Sequence, residues 1–143
     1  MSDSVANEQL NQILIRLLRN LSQYAVETWV WSSESQAAER TVFGRIVTEQ
    51  QRSVGRLADL LATRAHNIEF GTYATEFTDL HYVSLDFLRD QLIADQTGLV
   101  GELEQCQRAL SGDSAASVLL TEIATEERQH LQQLRESGVK AAA

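Results

Sequence analysis

Apolar residues recur every three or four positions over four long stretches of the chain, the spacing of amphipathic α-helices. The first stretch runs from about Ser4 to Trp31, with Leu10, Ile13, Leu17, Tyr24 and Trp31 on one stripe. The second runs from about Ser35 to Ala65, with Phe43, Ile46, Leu57 and Leu60. The third starts near Thr78 and ends near Leu110, carrying Leu85, Leu88, Leu92, Leu99 and Cys106. The fourth starts near Asp113 and ends near Gly138, carrying Leu120, Ile123 and Leu134. Thr78 and Asp113 are the expected N-caps and Gly138 the expected stop, which leaves 139–143 as a frayed tail and 1–138 as one domain.

The connections differ in kind. Ser32-Ser33 and Ser111-Gly112 are short, so each implies an antiparallel pair of neighbours. The link from about His66 to Phe77 holds about a dozen residues and is rich in β-formers and aromatics: Ile68, Phe70, Tyr73 and Phe77. Extended, it reaches about 40 Å, the length of a helix of about 27 residues. It can therefore run the length of a bundle, lay its aromatic side chains on the flank, and start helix three parallel to helix two.

Composition narrows the class without changing the picture. The chain has 143 residues and no proline, which favours unbroken helices. Its formal charge of −8 argues against a phosphate backbone as partner. No apolar run approaches the roughly 20 residues of a membrane span, and the N-terminus lacks the features of a signal peptide. The single Cys106 has no internal disulfide partner, which points to a reducing, cytoplasmic setting. Gly44, Gly55, Gly98 and Gly101 lie inside predicted helices, each at a cost of about 1 kcal/mol against Ala. Close helix contact, within the chain or across a homodimer, is the expected reason.

Polar residues interrupt every stripe. Helix one reads Leu10, Ile13, Leu17, Asn20, Tyr24, Glu27, Trp31; helix two reads Phe43, Ile46, Gln50, Ser53, Leu57, Leu60. Helix three reads Leu85, Leu88, Leu92, Asp95, Leu99, Glu102, Cys106; helix four reads Leu120, Ile123, Glu127, His130, Leu134. Buried carboxylates are costly unless paired or metal-bound. Glu27, Asp95, Glu127 and His130 together offer three carboxylates and an imidazole, a donor set suited to iron, manganese or zinc. His66 and His81 fall at helix ends and read as surface or capping residues; Trp29 and Trp31 read as packing anchors.

Helices two and four also resemble each other. Val47-Thr48-Glu49-Gln50-Gln51-Arg52-Ser53 to Leu57 aligns with Ala124-Thr125-Glu126-Glu127-Arg128-Gln129-His130 to Leu134, sharing Thr-Glu at the start and Leu at the end. Glu127 and His130 form Glu-x-x-His; the matching places hold Gln50 and Ser53.

With its two helix pairs, long crossover and internal repeat, the chain resembles the ferritin-like superfamily, within which Phe70-Gly71-Thr72-Tyr73 and Glu76-Phe77-Thr78-Asp79-Leu80-His81 look like a group of small members. That resemblance implies an all-α ferritin-like four-helix bundle and a dimetal site built from one Glu on each of two helices and Glu-x-x-His on the other two. Glu127 and His130 match one such unit. Glu27 matches the helix-one carboxylate in one register; in another, set by Asn20-Leu21-x-x-Tyr24-Ala25, Ser22 takes that place. Asp95 is shorter than the expected Glu. Gln50 and Ser53 stand for the second Glu-x-x-His, and Glu49 is turned about 100° away from Gln50. The expectation is a degenerate site with no dimetal oxidase chemistry. Glu127 and His130 could instead bond Gln50, Ser53 and Tyr24 in a metal-free polar core. Three functions stay open: a structural or interaction module, a metal-binding protein or oxidase using the half-site, and a binder of small apolar ligands or a partner helix.

Overall fold

A computed structural model describes residues 3–28, 34–80 and 84–142. They are all-helical, with five α-helices, one 3-10 turn and no strand among them. The helices are α1 (Asp3–Leu18), α2 (Leu21–Thr28), α3 (Glu34–Thr63), α4 (Leu85–Ala109) and α5 (Ser114–Ala142); Thr75–Leu80 forms the 3-10 turn. None of the described helices is long and apolar enough to cross a membrane. Trp29, Trp31 and His81 lie outside the described residues, so their expected roles do too.

The first predicted helix is two helices. Asn20 breaks it: its Oδ1 accepts the backbone N–H of Gln23 at 2.9 Å and so caps α2. The N–H of Leu21, freed at the break, donates to Asp95 Oδ2 on α4 at 2.9 Å. The stripe through Leu10 and Ile13 cannot show this, because the break needs a carboxylate from a distant helix to satisfy it.

Three further boundaries differ from expectation. Thr78 sits inside the 3-10 turn and bonds Thr75 O at 2.7 Å, and α4 begins seven residues later behind Ser84, whose side chain accepts from Phe87 N. Gly138 does not stop α5, which continues to Ala142; one glycine costs a long helix about 1 kcal/mol and does not break it. Asp113 does cap α5, accepting Ala116 N at 3.2 Å, and Arg64 holds it from the end of α3 at 2.7 Å. The end of α3 is closed by Ala65 at φ 54, with His66 N on Leu61 O and Ala65 N on Ala62 O, the double bond of a left-handed helix cap.

Cross-helix bonds set the packing. Residues 20 and 23 meet 50 and 47, while 7 meets 64, so α1 and α2 run antiparallel to α3. Residues 50, 56 and 64 meet 127, 122 and 113, so α3 and α5 are antiparallel. Residues 96 and 107 meet 127 and 121, so α4 and α5 are antiparallel as well. Both α3 and α4 oppose α5, and they therefore run parallel to each other. The connection between them must cover the length of the helices, and it does so along α1 and α2. Glu69 exchanges two bonds with Asn11, Arg19 donates to Phe70 O, and the rings of Tyr73 and Phe77 pack on Tyr24. Gly71, at φ 64, presses so closely on Ile15 that a Cβ there would sit 2.6 Å from its methyl carbon. Among the crossover aromatics Phe70 differs and is 51% exposed.

The apolar core is in two parts. The larger contains Leu10, Leu14, Leu17, Leu57, Leu61, Leu99, Leu103, Leu110, Leu120 and Ile123. The smaller contains Leu21, Phe43, Ile46, Leu88, Leu92 and Leu134. On α3, α4 and α5 the stretches between these two sets carry buried Gln50, Ser53, Gln96, Glu127 and His130 beside apolar Val47 and Leu131, and with Asn20 and Gln23 these polar side chains form one layer across the interior.

Candidate functional site: a polar layer between two apolar cores

The layer is built from the start of α2 and the middles of α3, α4 and α5. Asn20 is the cap of α2 and Gln23 lies in its first turn; Gln50 and Ser53 come from α3, Gln96 from α4, and Glu127 and His130 from α5. All are buried, with Gln50, Ser53 and Glu127 fully so. Asn20 can enter the interior because the helix break turns it inward. Gln50, Ser53, Glu127 and His130 lie on core stripes whose flanking members, Ile46, Leu57, Ile123 and Leu134, are themselves fully buried.

The side chains form a directed relay of amides that ends on a carboxylate. Asn20 Nδ2 donates to Gln50 Oε1 at 2.9 Å, and Gln23 Nε2 donates to the same oxygen at 3.1 Å. Gln50 Nε2 then donates to Glu127 Oε1 at 2.7 Å. Gln96 Nε2 donates to that oxygen at 2.9 Å and to the Glu127 carbonyl at 3.0 Å. Flipping the Gln50 amide would aim its oxygen at the carboxylate, so charge sets the orientation. Each amide dipole then polarises the next toward Glu127, and bonds in such a chain strengthen one another in a low-dielectric interior.

His130 sits between two carboxylates. Its Nε2 lies 2.5 Å from Glu49 Oε2, and its Nδ1 lies 2.9 Å from Glu127 Oε2. Burial works against a charged imidazole, but the two carboxylates outweigh it and raise the His130 pKa above its ordinary value. The layer thus holds the imidazole between a fully buried carboxylate and one whose side chain is 36% exposed. The Glu127 contact has ion-pair distance without hydrogen-bond direction: Glu127 Oε2 and His130 Nδ1 face each other, both buried, and neither makes a hydrogen bond. Ser53 turns the other way, to Glu126 Oε2 at 3.1 Å, where Arg56 also binds.

The other candidates lie apart from this layer. Glu27 is exposed, on the side of α2 away from buried Ala25, because the break at Asn20 resets the phase of the stripe. Ser22 occupies the buried position of that register. Asp95 is committed elsewhere: it accepts Leu21 N and pairs with Arg16 at 3.0 Å. Arg16 also binds the exposed Glu102 at 2.6 Å. Tyr24 packs on the crossover rings. Burial pushes the Cys106 thiol up to about 11, which keeps it protonated and unreactive.

Three members escaped the sequence reading: Gln23, which the break at Asn20 turns inward, Gln96 and Glu49. Gln96 is one residue from Asp95, and the stripe Leu88, Leu92, Gln96, Leu99, Leu103, Cys106, Leu110 fits the 3.6 period as well as the one through Asp95 and Glu102. Leu103 and Leu110, both buried, were the signal for it. Glu49 points away from Gln50 on an isolated helix, but it lies on the seam facing α5 and reaches His130. A buried pair between Arg89 and Glu39, at 2.5 Å, was likewise missed and ties α4 to α3 near their starts.

A dimetal centre does not fit these side chains. Two amide N–H groups occupy the approach to Glu127 Oε1, Asp95 is held by Arg16 and a backbone N–H, and Glu27 faces water. Among the described residues no three His, Cys, Asp or Glu side chains are grouped to hold a metal ion. Compared with protein-family models, curated proteins and solved structures, the chain matches none.

Proposed function

We propose that the protein is a ferritin-like bundle without a working dimetal centre, serving as a structural or interaction module. In this reading the internal repeat carries the ancestry of two Glu-x-x-His units. Replacement of one by Gln50 and Ser53 has turned the metal-binding interior into a closed network of amides and one charge pair. The observation that supports it best is the coordination of Glu127. Its Oε1 takes hydrogen bonds from Gln50 and Gln96, and its Oε2 faces the His130 imidazole, so donors and a basic ring already surround the group a metal would need. Such a network holds helices in one register, because a sideways slip leaves a buried charge without partners.

A second reading draws on the two atoms without hydrogen bonds. If Glu49 fixes a neutral His130 with its proton on Nε2, then Nδ1 and Glu127 Oε2 present lone pairs to each other at 2.9 Å. A single bound cation would relieve that repulsion as well as a proton does.

Metal content separates the two. The protein is expressed with iron, manganese or zinc supplied, dialysed, and measured for metal per chain by mass spectrometry. The first reading expects well below one ion per chain in wild type, with a gain in the double variant Gln50→Glu, Ser53→His, which restores the second Glu-x-x-His. One ion per chain in wild type, lost in His130→Ala, would overturn it in favour of the second reading.

A further inference from the structure

We draw no further inference here: the strongest candidate, the facing pair of buried atoms Glu127 Oε2 and His130 Nδ1 in the polar layer between α3 and α5, belongs to the site already described.

Discussion

The larger apolar core and the polar layer above it are equally buried, yet they hold the helices by different physics. In the core, Leu14, Leu57, Leu99 and Leu120 gain free energy in proportion to area removed from water, at roughly 25 cal/mol per Å². That gain has no direction, so any shape-compatible apolar residue serves nearly as well. In the layer, Gln50, Gln96, Glu127 and His130 have lost their hydration, and the bonds among them mainly restore what was lost. Those bonds tolerate little displacement. The core therefore supplies most of the stability, whereas the layer contributes register.

The largest test of this contrast is the removal of one charge against the removal of the whole network. Glu127→Ala removes the carboxylate oxygen that Gln50 and Gln96 share and leaves His130 with Glu49 alone, and about 3–5 kcal/mol of stability should be lost, read by chemical denaturation. Replacing Gln50, Gln96, Glu127 and His130 together by Leu or Met of similar volume should cost nothing, or stabilise by about 1–4 kcal/mol. A joint variant that falls as far as Glu127→Ala would show that the layer is a source of stability in its own right. Leu57→Ala gives the apolar counterpart: a loss of about 2–5 kcal/mol from transfer and cavity terms, with no dependence on pH.

A pH series sharpens the comparison at His130. The folded state raises the imidazole pKa, so the protonated side chain is bound more tightly folded than unfolded. The resulting stability is fully present below the unfolded value of roughly 6.5 and is lost as pH rises through the raised folded value. Wild-type melting temperature should therefore fall on the alkaline side of that window, and His130→Ala should remove this part of the fall. An unchanged alkaline slope in the variant would rule out an imidazolium at this position.

Smaller effects lie at the layer's edge and on the outer faces. Asn20→Ala loses both the cap on α2 and the bond to Gln50, which should cost about 1–2 kcal/mol in melting experiments. Ala65→Gly should stabilise by about 1 kcal/mol, since Ala at positive φ is strained where Gly is not. Gly55→Ala and Gly101→Ala are informative in either direction. A Cβ at each meets nothing within 4 Å, so on a free surface both should stabilise by about 1 kcal/mol. If these glycines instead seat a second copy of the chain, the substitutions should lower its association in size-exclusion chromatography. Gly98 differs, because Arg16 passes 3.4 Å from where its Cβ would lie on the way to Asp95.

Some of these features were legible in the sequence because they are periodic or local. The stripes of α3 and α5 carried Gln50, Ser53, Glu127 and His130 to the interior, where burial agrees with periodicity. The caps at Asp113 and the long crossover with its Tyr73 and Phe77 followed from local chemistry and chain reach. On α1 the stripe of Leu10, Ile13 and Leu17 is buried as expected, whereas on α2 and α4 the period misplaces Glu27, Asp95 and Glu102. A 3.6-residue period tolerates neighbouring stripes: Leu103 and Leu110 favour Gln96 over Asp95 on α4, but nothing in the local sequence chooses between Glu27 and Ser22. The choice is made where Asn20 breaks the helix and Asp95 reaches across to take up the exposed N–H of Leu21, two residues 74 positions apart but joined by one hydrogen bond.

The sequence by itself therefore determined that the chain is helical, which faces of α3 and α5 are buried, and that polar groups sit among the apolar ones. These depend on helical repeat and on the cost of exposing apolar surface, both properties of short segments. Only the tertiary structure decided what the polar groups do. Whether a buried Glu meets amides, an imidazolium or further carboxylates depends on which turns of four separate helices come level, and long-range packing sets that level.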